Sequence, residues 1–249
     1  MEPVSLLLEN GIARIRFHVP PVNALPTDAL NALEKYIRQA STSPDIKALI
    51  LESEGKTFCA GASFDELIRL EQKEAAIDFF GGFGRVMLAM KSAPVPVITR
   101  IQGKTVGGGV GLVAVSDLAL AVETAAFKLS EISIGIGPFV ISPAIRRRGG
   151  PSLLHKMSWQ PWRWFTAFDM KKSGLIDIVF PDLHSLDEYL DQIADYYQKY
   201  DSTAIARWKK ALWSDADDWE LLFSELARES ADLLLREPVK KYLASLKKN

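Results

Sequence analysis

The stretch Gly107-Gly108-Gly109-Val110-Gly111 lies between an apolar run at 97–101 and the small apolar residues 112–115. A second stretch, Phe58-Cys59-Ala60-Gly61-Ala62-Ser63, also follows an apolar run, at 48–51, and leads into a predicted helix. Small residues let the chain turn sharply and let other groups approach the backbone closely. The repeated order of strand, small-residue turn and helix predicts an α/β fold with parallel strands.

The segments on the N-terminal side of these turns extend the same pattern. Residues 4–8 and 12–17 are apolar or alternating and flank Asn10-Gly11, which is typical of a β-hairpin. An amphipathic helix follows, and we expect Thr27 or Asp28 to cap its N-terminus. Ser63 or Asp65 is expected to cap the helix after the second turn.

The character of the chain changes after about residue 180, where apolar residues recur at helical spacing. We therefore predict two parts, a core at 1–183 and a helical C-terminal module at 184–249. The predicted helices of the module lie at 186–200, 203–213, 219–235 and 239–248.

Composition excludes several classes of protein. The formal net charge of the 249-residue chain is −1, so no overall field favours nucleic acid or an acidic membrane surface. The single cysteine, Cys59, and three dispersed histidines show no metal-ligand spacing. No window approaches the roughly 20 apolar residues of a membrane span. We expect a cytoplasmic protein with no metal, nucleic-acid or membrane partner.

Both small-residue turns present backbone N–H groups at the start of a helix, where those groups have no intrahelical partner. Two such groups aimed at one point would form an oxyanion hole. Phosphate binding is a rival interpretation, but Gly107–Gly111 is not followed by the Lys-Ser or Lys-Thr of a phosphate loop. Glycines that serve only tight packing of strand and helix are the other alternative.

Several motifs together resemble the crotonase (enoyl-CoA hydratase/isomerase) superfamily. They are Phe58-Cys59-Ala60-Gly61-Ala62-Ser63, the triplet region 107–111 followed by Ser116-Asp117, the segment 127–135, and Val22-Asn23-Ala24-Leu25. They occur in the family's order with similar separations. The resemblance implies a crotonase-type spiral of ββα units with a helical C-terminal trimerisation module, and hence a homotrimer or a dimer of trimers.

The resemblance also implies roles for individual residues. The backbone amides of Ala62 and Gly108 would bind the oxygen of an acyl-CoA thioester, and Glu131 would be the catalytic acid and base. Coenzyme A is then part of the substrate, and no separate cofactor is implied. The expected substrate-binding residues are Ala60, Ala62, Ser63, Phe64, Asp65, Gly108 and Gly111.

Position 111 departs from the family pattern, because hydratases of the family carry their first catalytic glutamate where this chain has Gly111. A site with one carboxylate suits isomerisation, in which one base moves one proton between the γ and α carbons. The sequence around Gly111 and Glu131 nevertheless resembles that of methylglutaconyl-CoA hydratases and of the dehydratases of polyketide β-branching. We therefore expect hydratase or dehydratase chemistry on a possibly branched enoyl thioester. The alternatives are an enoyl-CoA isomerase and a non-catalytic CoA-binding scaffold.

Aromatic and basic clusters are harder to interpret from sequence. Trp159, Trp162 and Trp164, with Phe165, are expected in the core or at a trimer contact, and a wall of the acyl pocket is a second hypothesis. The run 146–148 of arginines is expected to be a solvated surface rather than a phosphate site. Members of the family often bring a C-terminal lysine to a CoA phosphate. The basic residues of this region are Lys240, Lys241, Lys247 and Lys248.

Overall fold

The fold is described by a computed structural model that covers residues 2–246. Its core repeats a unit of two strands followed by a helix. The strands are β1 (Val4–Glu9), β2 (Ile12–Phe17), β3 (Ala24–Leu25), β4 (Ala48–Ser53), β5 (Thr57–Cys59), β6 (Gly61–Ala62), β7 (Val97–Ile101), β8 (Lys104–Val106), β9 (Leu118–Val122), β10 (Ala126–Lys128), β11 (Phe165–Thr166) and β12 (Ile178–Phe180).

The helices follow the strands of each unit and then continue as a helical C-terminal region. After β10 the chain forms a 3₁₀ helix, Glu131–Ile134, before α5. A second 3₁₀ helix, Ser214–Ala216, precedes α9. The α-helices are α1 (Thr27–Ser41), α2 (Phe64–Arg69), α3 (Lys73–Ser92), α4 (Gly108–Ala114), α5 (Ser142–Trp159), α6 (Ala167–Lys172), α7 (Leu183–Lys199), α8 (Ser202–Leu212), α9 (Trp219–Leu234) and α10 (Glu237–Leu246).

The strand pairs β4/β5, β7/β8 and β9/β10 each contribute one strand to each of two sheets, and β3 pairs with β6 separately. Within residues 2–246 the larger sheet has the order β1-β2-β4-β7-β9-β12, and the smaller has the order β11-β10-β8-β5. The pairs β4–β7, β7–β9, β5–β8 and β8–β10 are all parallel, so the chain advances in one direction through both sheets. The hairpin of β1 and β2 around Asn10-Gly11 is antiparallel, which confirms its prediction. This arrangement is the expected spiral of ββα units.

The larger sheet is covered on both faces, as continuous apolar strands require. Every residue of β4 is buried, including Glu52. The Glu52 carboxylate accepts hydrogen bonds from Arg16 Nε at 3.0 Å and from Arg14 Nη1 at 3.3 Å, so the buried charge is paired. Arg14 also contacts Asp191 of α7, and Arg100 of β7 forms an ion pair with Asp187 of the same helix. Helix α7 therefore lies across one face of the sheet.

The start of α1 differs from its prediction. Neither Thr27 nor Asp28 is the N-cap, which is Pro26 and makes no side-chain capping bond. The carboxylate of Glu66 in α2 instead accepts a hydrogen bond from Thr27 N at 2.8 Å and another from the Thr27 hydroxyl. A distant side chain thus satisfies an amide that a local cap ordinarily would. By contrast, Ser63 caps α2, accepting from Glu66 N, as the sequence predicts.

The C-terminal helices pack back onto the core. Helix α9 runs along α3, while α10 contacts α2 and the 3₁₀ helix Glu131–Ile134. The division of the chain between residues 183 and 184 stays a prediction. In the part of the chain that is described, no helix is long and apolar enough to cross a membrane.

Candidate active site

The first small-residue turn runs from β5 through β6 into α2. Gly61 has φ +87°, a backbone conformation that residues with a side chain rarely adopt. Ala62 follows it and leads to Ser63, the N-cap of α2, so the turn ends at a helix start. Cys59 packs beneath the turn, and burial raises the pKa of its thiol to about 12. This thiol is a packing group rather than a nucleophile.

Asn23 holds this turn in place. Its side-chain Oδ1 accepts a hydrogen bond from Val19 N at 2.8 Å, and its Nδ2 donates to Glu54 O and Thr57 O, both at 2.7 Å. Its own carbonyl accepts from Ala60 N at 3.1 Å. Asn23 is buried and has φ +57°, a conformation that asparagine tolerates better than most residues. The Asn-Ala-Leu motif therefore fixes the position of the Ala60–Ala62 backbone.

The second small-residue turn lies directly beside the first. Gly107 has φ +53° and starts α4, all of whose residues are buried. A β-carbon placed on Gly61 would lie 3.1 Å from Val106 O and 3.6 Å from Gly108 N. A β-carbon on Gly108 would overlap the ring of Phe83. The two turns are thus close neighbours, as the hypothesis of an oxyanion hole requires.

The Glu131 carboxyl group lies against the second turn. A β-carbon on Gly107 would lie 2.6 Å from Glu131 Oε1, so only glycine leaves room for the carboxyl group. Glu131 Oε2 is shielded from solvent and has no hydrogen-bond partner among residues 2–246. Burial raises the pKa of Glu131 to about 7, and backbone hydrogen bonds from Glu131 and Ser130 offset part of that rise. A carboxyl group with this pKa can both give and take a proton near neutral pH.

These elements enclose one pocket of about 200 Å³. The polar side chains on its lining are Ser130, Glu131 and Ser230, and the rest of the lining is backbone or apolar side chain. Ser230 of α9 is buried and donates a hydrogen bond to Leu226 O at 3.0 Å. The lining is formed by Ala60, Gly61, Ala62, Phe64, Leu67, Phe80, Phe83, Val106, Gly107, Gly108, Ser130, Glu131, Ile134, Ile136, Gly137, Pro138, Phe139, Val140, Ile141 and Ser230.

Of the predicted site residues, the structure brings Ala60, Ala62, Phe64, Gly108 and Glu131 to this pocket. The other three lie elsewhere. Ser63 caps α2, Asp65 is on the exposed side of that helix, and Gly111 is buried behind the pocket wall.

The surroundings of Gly111 show which side chains occupy the space that a second catalytic carboxylate would need. A β-carbon at this position would lie 2.5 Å from Ile141 Cγ2 and 3.2 Å from Met87 Sδ. Ile141 lines the pocket, whereas Gly111 does not. Ile141, from another segment, therefore lies between Gly111 and the pocket, and a contact between Gly111 and the substrate stays a prediction. The space that a second acid would need is apolar and filled.

Sequence reasoning missed the pocket residues that come from distant elements. Phe80 and Phe83 of α3, Phe139, Ile141 and Ser230 all line the pocket. An apolar face on α3 is visible in the sequence, but nothing local indicates which pocket that face lines. Trp159, Trp162 and Trp164 are exposed and do not line the pocket, so neither a core position nor a pocket wall describes them. Phe165 is buried, and a trimer contact through the tryptophans stays a prediction.

The basic residues noted in the sequence have partners of their own. Arg147 contacts Asp215 and stacks on Trp213, and Arg148 forms an ion pair with Asp177. Lys240 donates to the carbonyls of Ile68 and of Leu70, the C-cap of α2, and Lys241 pairs with Glu237. Lys247 and Lys248 lie outside the described residues. Within residues 2–246, no group of three or more His, Cys, Asp or Glu side chains forms a potential metal site.

Comparison with known proteins identifies the family of this chain. The sequence profile of the family described as "Enoyl-CoA hydratase/isomerase" matches residues 8–231. The chain therefore belongs to the enoyl-CoA hydratase/isomerase family, and its fold is the crotonase fold. The enoyl-CoA hydratase of Bacillus halodurans superposes with a TM-score of 0.92 over 98% of this chain and 99% of that chain, at 20% sequence identity.

Two similar proteins carry different names, one a hydratase and one a hydrolase. A probable enoyl-CoA hydratase of Bacillus subtilis is 27% identical over 218 residues, which span 86% of this chain and 83% of that protein. The (7aS)-7a-methyl-1,5-dioxo-2,3,5,6,7,7a-hexahydro-1H-indene-carboxyl-CoA hydrolase of Mycobacterium tuberculosis is 39% identical over 135 residues. That second match spans 54% of this chain and 55% of the hydrolase, so this chain matches about half the length of that relative.

Proposed function

We propose that the protein is an enoyl-CoA hydratase/dehydratase that uses Glu131 as its one acid and base. In this proposal the amides of Ala62 and Gly108 bind the thioester oxygen. The observation that carries the proposal is the position of Glu131, whose carboxyl group lies against Gly107 with Oε2 unpartnered within residues 2–246. A buried polar atom without a partner is costly, and a substrate proton or water would satisfy it.

The chemistry follows from one carboxyl group and two amides. In dehydration, Glu131 removes the proton from the α carbon of a 3-hydroxyacyl thioester, and the electron pair moves to the thioester oxygen to give an enolate. Preorganised N–H donors stabilise that oxygen as its charge develops. The enolate then expels the β-hydroxyl group, which takes the proton from Glu131 and leaves as water. Hydration is the reverse of these steps.

Isomerisation is the second candidate, and Ile141 favours it. With the space beside Gly111 filled by Ile141 and Met87, no second carboxylate is present there to activate water. A base that removes a proton at the α carbon and returns it at the γ carbon needs only Glu131. The apolar wall would also keep water away from the dienolate.

Three incubations in deuterated water separate these functions. The substrates are a 3-hydroxyacyl, an α,β-enoyl and a β,γ-enoyl CoA thioester, and the products are identified by mass spectrometry. We expect interconversion of the 3-hydroxyacyl and α,β-enoyl thioesters, whereas an isomerase would give α,β-enoyl from β,γ-enoyl with no hydroxyacyl product. Because one relative is named as a hydrolase, hydrolysis products are measured in the same samples.

Glu131→Gln is the decisive variant, with Glu123→Gln as its matched control. Glu123 is exposed and outside the pocket, so the control makes the same chemical change elsewhere. General acid–base catalysis contributes roughly 10²–10⁴-fold, and we expect a loss in kcat of that order for Glu131→Gln alone. A non-catalytic scaffold predicts instead that all three proteins show the same background turnover while CoA thioester binding persists in calorimetry.

The proposed assembly is a homotrimer or a dimer of trimers, as the family resemblance implies. Two indoles on the described surface, Trp159 and Trp162, are 62% and 73% exposed, which is unusual for such large apolar groups. Their burial between copies of the chain would lower that exposure. Light scattering on the eluting protein is expected to give three or six times the 27.6 kDa chain mass, and a monomer mass would contradict the proposal.

A further inference from the structure

Helix α10 contacts both halves of the pocket at once. It packs against α2, which follows the Ala62 turn, and against the 3₁₀ helix that begins with Glu131. Val239 and Leu243 are its buried residues, so they anchor the helix to the core. One short helix near the C-terminus thus lies between two segments that are more than 60 residues apart in sequence but must be aligned in the site.

Lys240 forms the contact with α2. Its Nζ donates hydrogen bonds to Ile68 O at 2.7 Å and to Leu70 O at 2.6 Å. These carbonyls lie at the C-terminal end of α2 (Phe64–Arg69), where the last carbonyl groups have no intrahelical partner. A cation is also favoured at that end by the partial negative charge of the helix. The contact holds the end of α2 that is farthest from the Ala62 turn.

Val239, the preceding residue, forms the contact with the Glu131 segment. Gly135 ends the 3₁₀ helix with φ +83°, and a β-carbon placed on it would lie 2.8 Å from Val239 Cγ2. The valine therefore packs directly on the backbone of the turn that carries Glu131. Adjacent residues of α10 thus bind the two segments separately, one by hydrogen bonds and one by close packing.

Glu66 holds α2 from the other side. Its carboxylate accepts a hydrogen bond from Thr27 N at 2.8 Å and so attaches α2 to α1. That contact fixes α2 against the N-terminal part of the core but does not reach the Glu131 segment. The bonds made by Lys240 instead connect α2 to α10, which packs on the Glu131 segment.

We propose that Lys240 is a positioning residue, which aligns the Ala62 turn with Glu131 by tying the end of α2 to the helix that packs on Gly135. This inference rests on the proposed function. The Lys240 ammonium group bonds to two carbonyls at the end of α2, so its loss would let α2 and the turn before it move relative to α10 and Glu131. A misalignment of about 1 Å costs on the order of 10²-fold in rate when catalysis depends on geometry.

The test compares Lys240→Met with Lys241→Met and Lys240→Arg. Lys241 is the neighbouring exposed lysine, paired with Glu237 at 2.7 Å, so its replacement makes the same charge change without touching α2. Lys240→Met is expected to lower kcat about tenfold or more with little change in KM. Lys240→Arg retains donors at this position and is expected to recover most of the activity, and Lys241→Met is expected to keep the wild-type kcat.

Hydrogen exchange gives a readout that does not depend on activity. Lys240→Met is expected to increase amide exchange in both 64–70 and 131–136, whereas Lys241→Met leaves both unchanged. An increase in 64–70 alone would overturn the proposal, because α10 would then not couple the segments. A rise in KM with kcat retained would also overturn it, since that pattern indicates direct contact with the CoA phosphates.

The outcomes for this inference and for the proposed function are distinguishable. If Glu131→Gln equals wild type in turnover, the proposed function fails whatever Lys240 does. If Glu131→Gln is inactive but Lys240→Met matches Lys241→Met in kcat and exchange, the inference about Lys240 fails alone. Thermal unfolding of each variant identifies any that lose the fold. If Lys240→Met is one of these, Lys240→Gln, which keeps a shorter neutral donor, takes its place.

Discussion

The carboxyl group of Glu131 lies in a lining of backbone and apolar side chains, where the charged form loses hydration without gaining a counter-charge. Its pKa rises from 4.5 to about 7, which means that the folded protein binds a proton more tightly than the unfolded chain. Between those pH values the folded state holds more protons, so the contribution of Glu131 to stability is full below pH 4.5 and is lost as the pH rises to about 7. The same property that suits proton transfer thus destabilises the fold at high pH.

This linkage predicts the pH dependence of one variant. Glu131→Gln removes the ionisable group, so its free energy of unfolding relative to wild type is expected to rise with pH between 4.5 and about 7. The change from 4.5 to about 7 corresponds to roughly 3 kcal/mol at its upper limit. Urea unfolding at pH 4.5, 6 and 8 measures this, with Glu123→Gln as the control. A pH-independent difference would show that Glu131 titrates normally in the folded protein.

The tight packing around Gly111 leads to a prediction about protein stability. Restoring an acid with Gly111→Glu is expected to destabilise the protein, because a side chain there would overlap Ile141 and Met87. Overpacking of this kind typically costs about 1–3 kcal/mol, and an unpaired buried acid adds to that cost. Gly111→Glu combined with Ile141→Ala opens the space and is expected to recover part of the loss in urea unfolding. Equal stability of the single and double variants would mean that Ile141 is not the obstruction.

At the scale of elements, the turn before α2 depends on Asn23 for both its hydrogen bonds and its backbone conformation. Asn23→Ala removes the side-chain bonds to Val19, Glu54 and Thr57 and places an alanine at φ +57°. We expect a loss of about 2–4 kcal/mol in unfolding free energy, together with lower kcat, because the Ala62 amide loses its support. Asn23→Gly removes the same bonds but tolerates the conformation.

The glycine variant is therefore expected to be about 1 kcal/mol more stable than the alanine variant. Urea unfolding of both proteins, with kcat measured in parallel, separates the two contributions. If alanine and glycine are equally destabilising, the positive φ contributes nothing. If neither changes stability by more than about 0.5 kcal/mol, the side-chain bonds of Asn23 are not what holds the turn.

The sequence alone predicts those elements whose characteristic residues are neighbours in the chain. The hairpin, the Ala60–Ala62 turn and the glycine triplet each carry their own signature, and Glu131 follows the triplet at a recognisable distance. Ile141 and Ser230 lack such a signature, because their role depends on which distant segment they meet. The predicted cap of α1 is wrong for the same reason, since the Glu66 carboxylate that binds Thr27 N comes from another helix. Tertiary contact, rather than propensity, decides these positions.

At the scale of the whole molecule, a buried ion pair joins the C-terminal helices to the core. Lys209 of α8 is 5% exposed and lies 2.7 Å from Asp117, which precedes β9. Its Nζ also donates to Met90 O at 2.9 Å and Val95 O at 3.0 Å. Asp117 in turn accepts hydrogen bonds from Val97 N at 2.8 Å and Trp213 Nε1 at 3.2 Å. Every charge in this cluster therefore has partners from different parts of the chain.

Removing one partner of such a pair leaves the other buried and uncompensated, which typically costs about 3–5 kcal/mol. We expect that loss for Lys209→Met in urea unfolding, and a smaller one for Lys209→Met combined with Asp117→Asn, because the second change removes the orphaned charge. Lys210→Met, on the neighbouring exposed lysine, is the control. If the single and double variants are equally stable, Asp117 is already hydrated in the single variant.

The shape of the transition tests whether the helices and the core unfold together. Far-UV circular dichroism follows the whole chain, and tryptophan fluorescence reports on Trp213 and Trp219, which pack edge to face beside the ion pair, along with the other indoles. Wild type is expected to give coincident curves, as a cooperative unit does. If Lys209→Met separates them, the pair is what makes the C-terminal helices part of one folding unit. Coincident curves in Lys209→Met would assign that cooperativity to the packing of α9 along α3 instead.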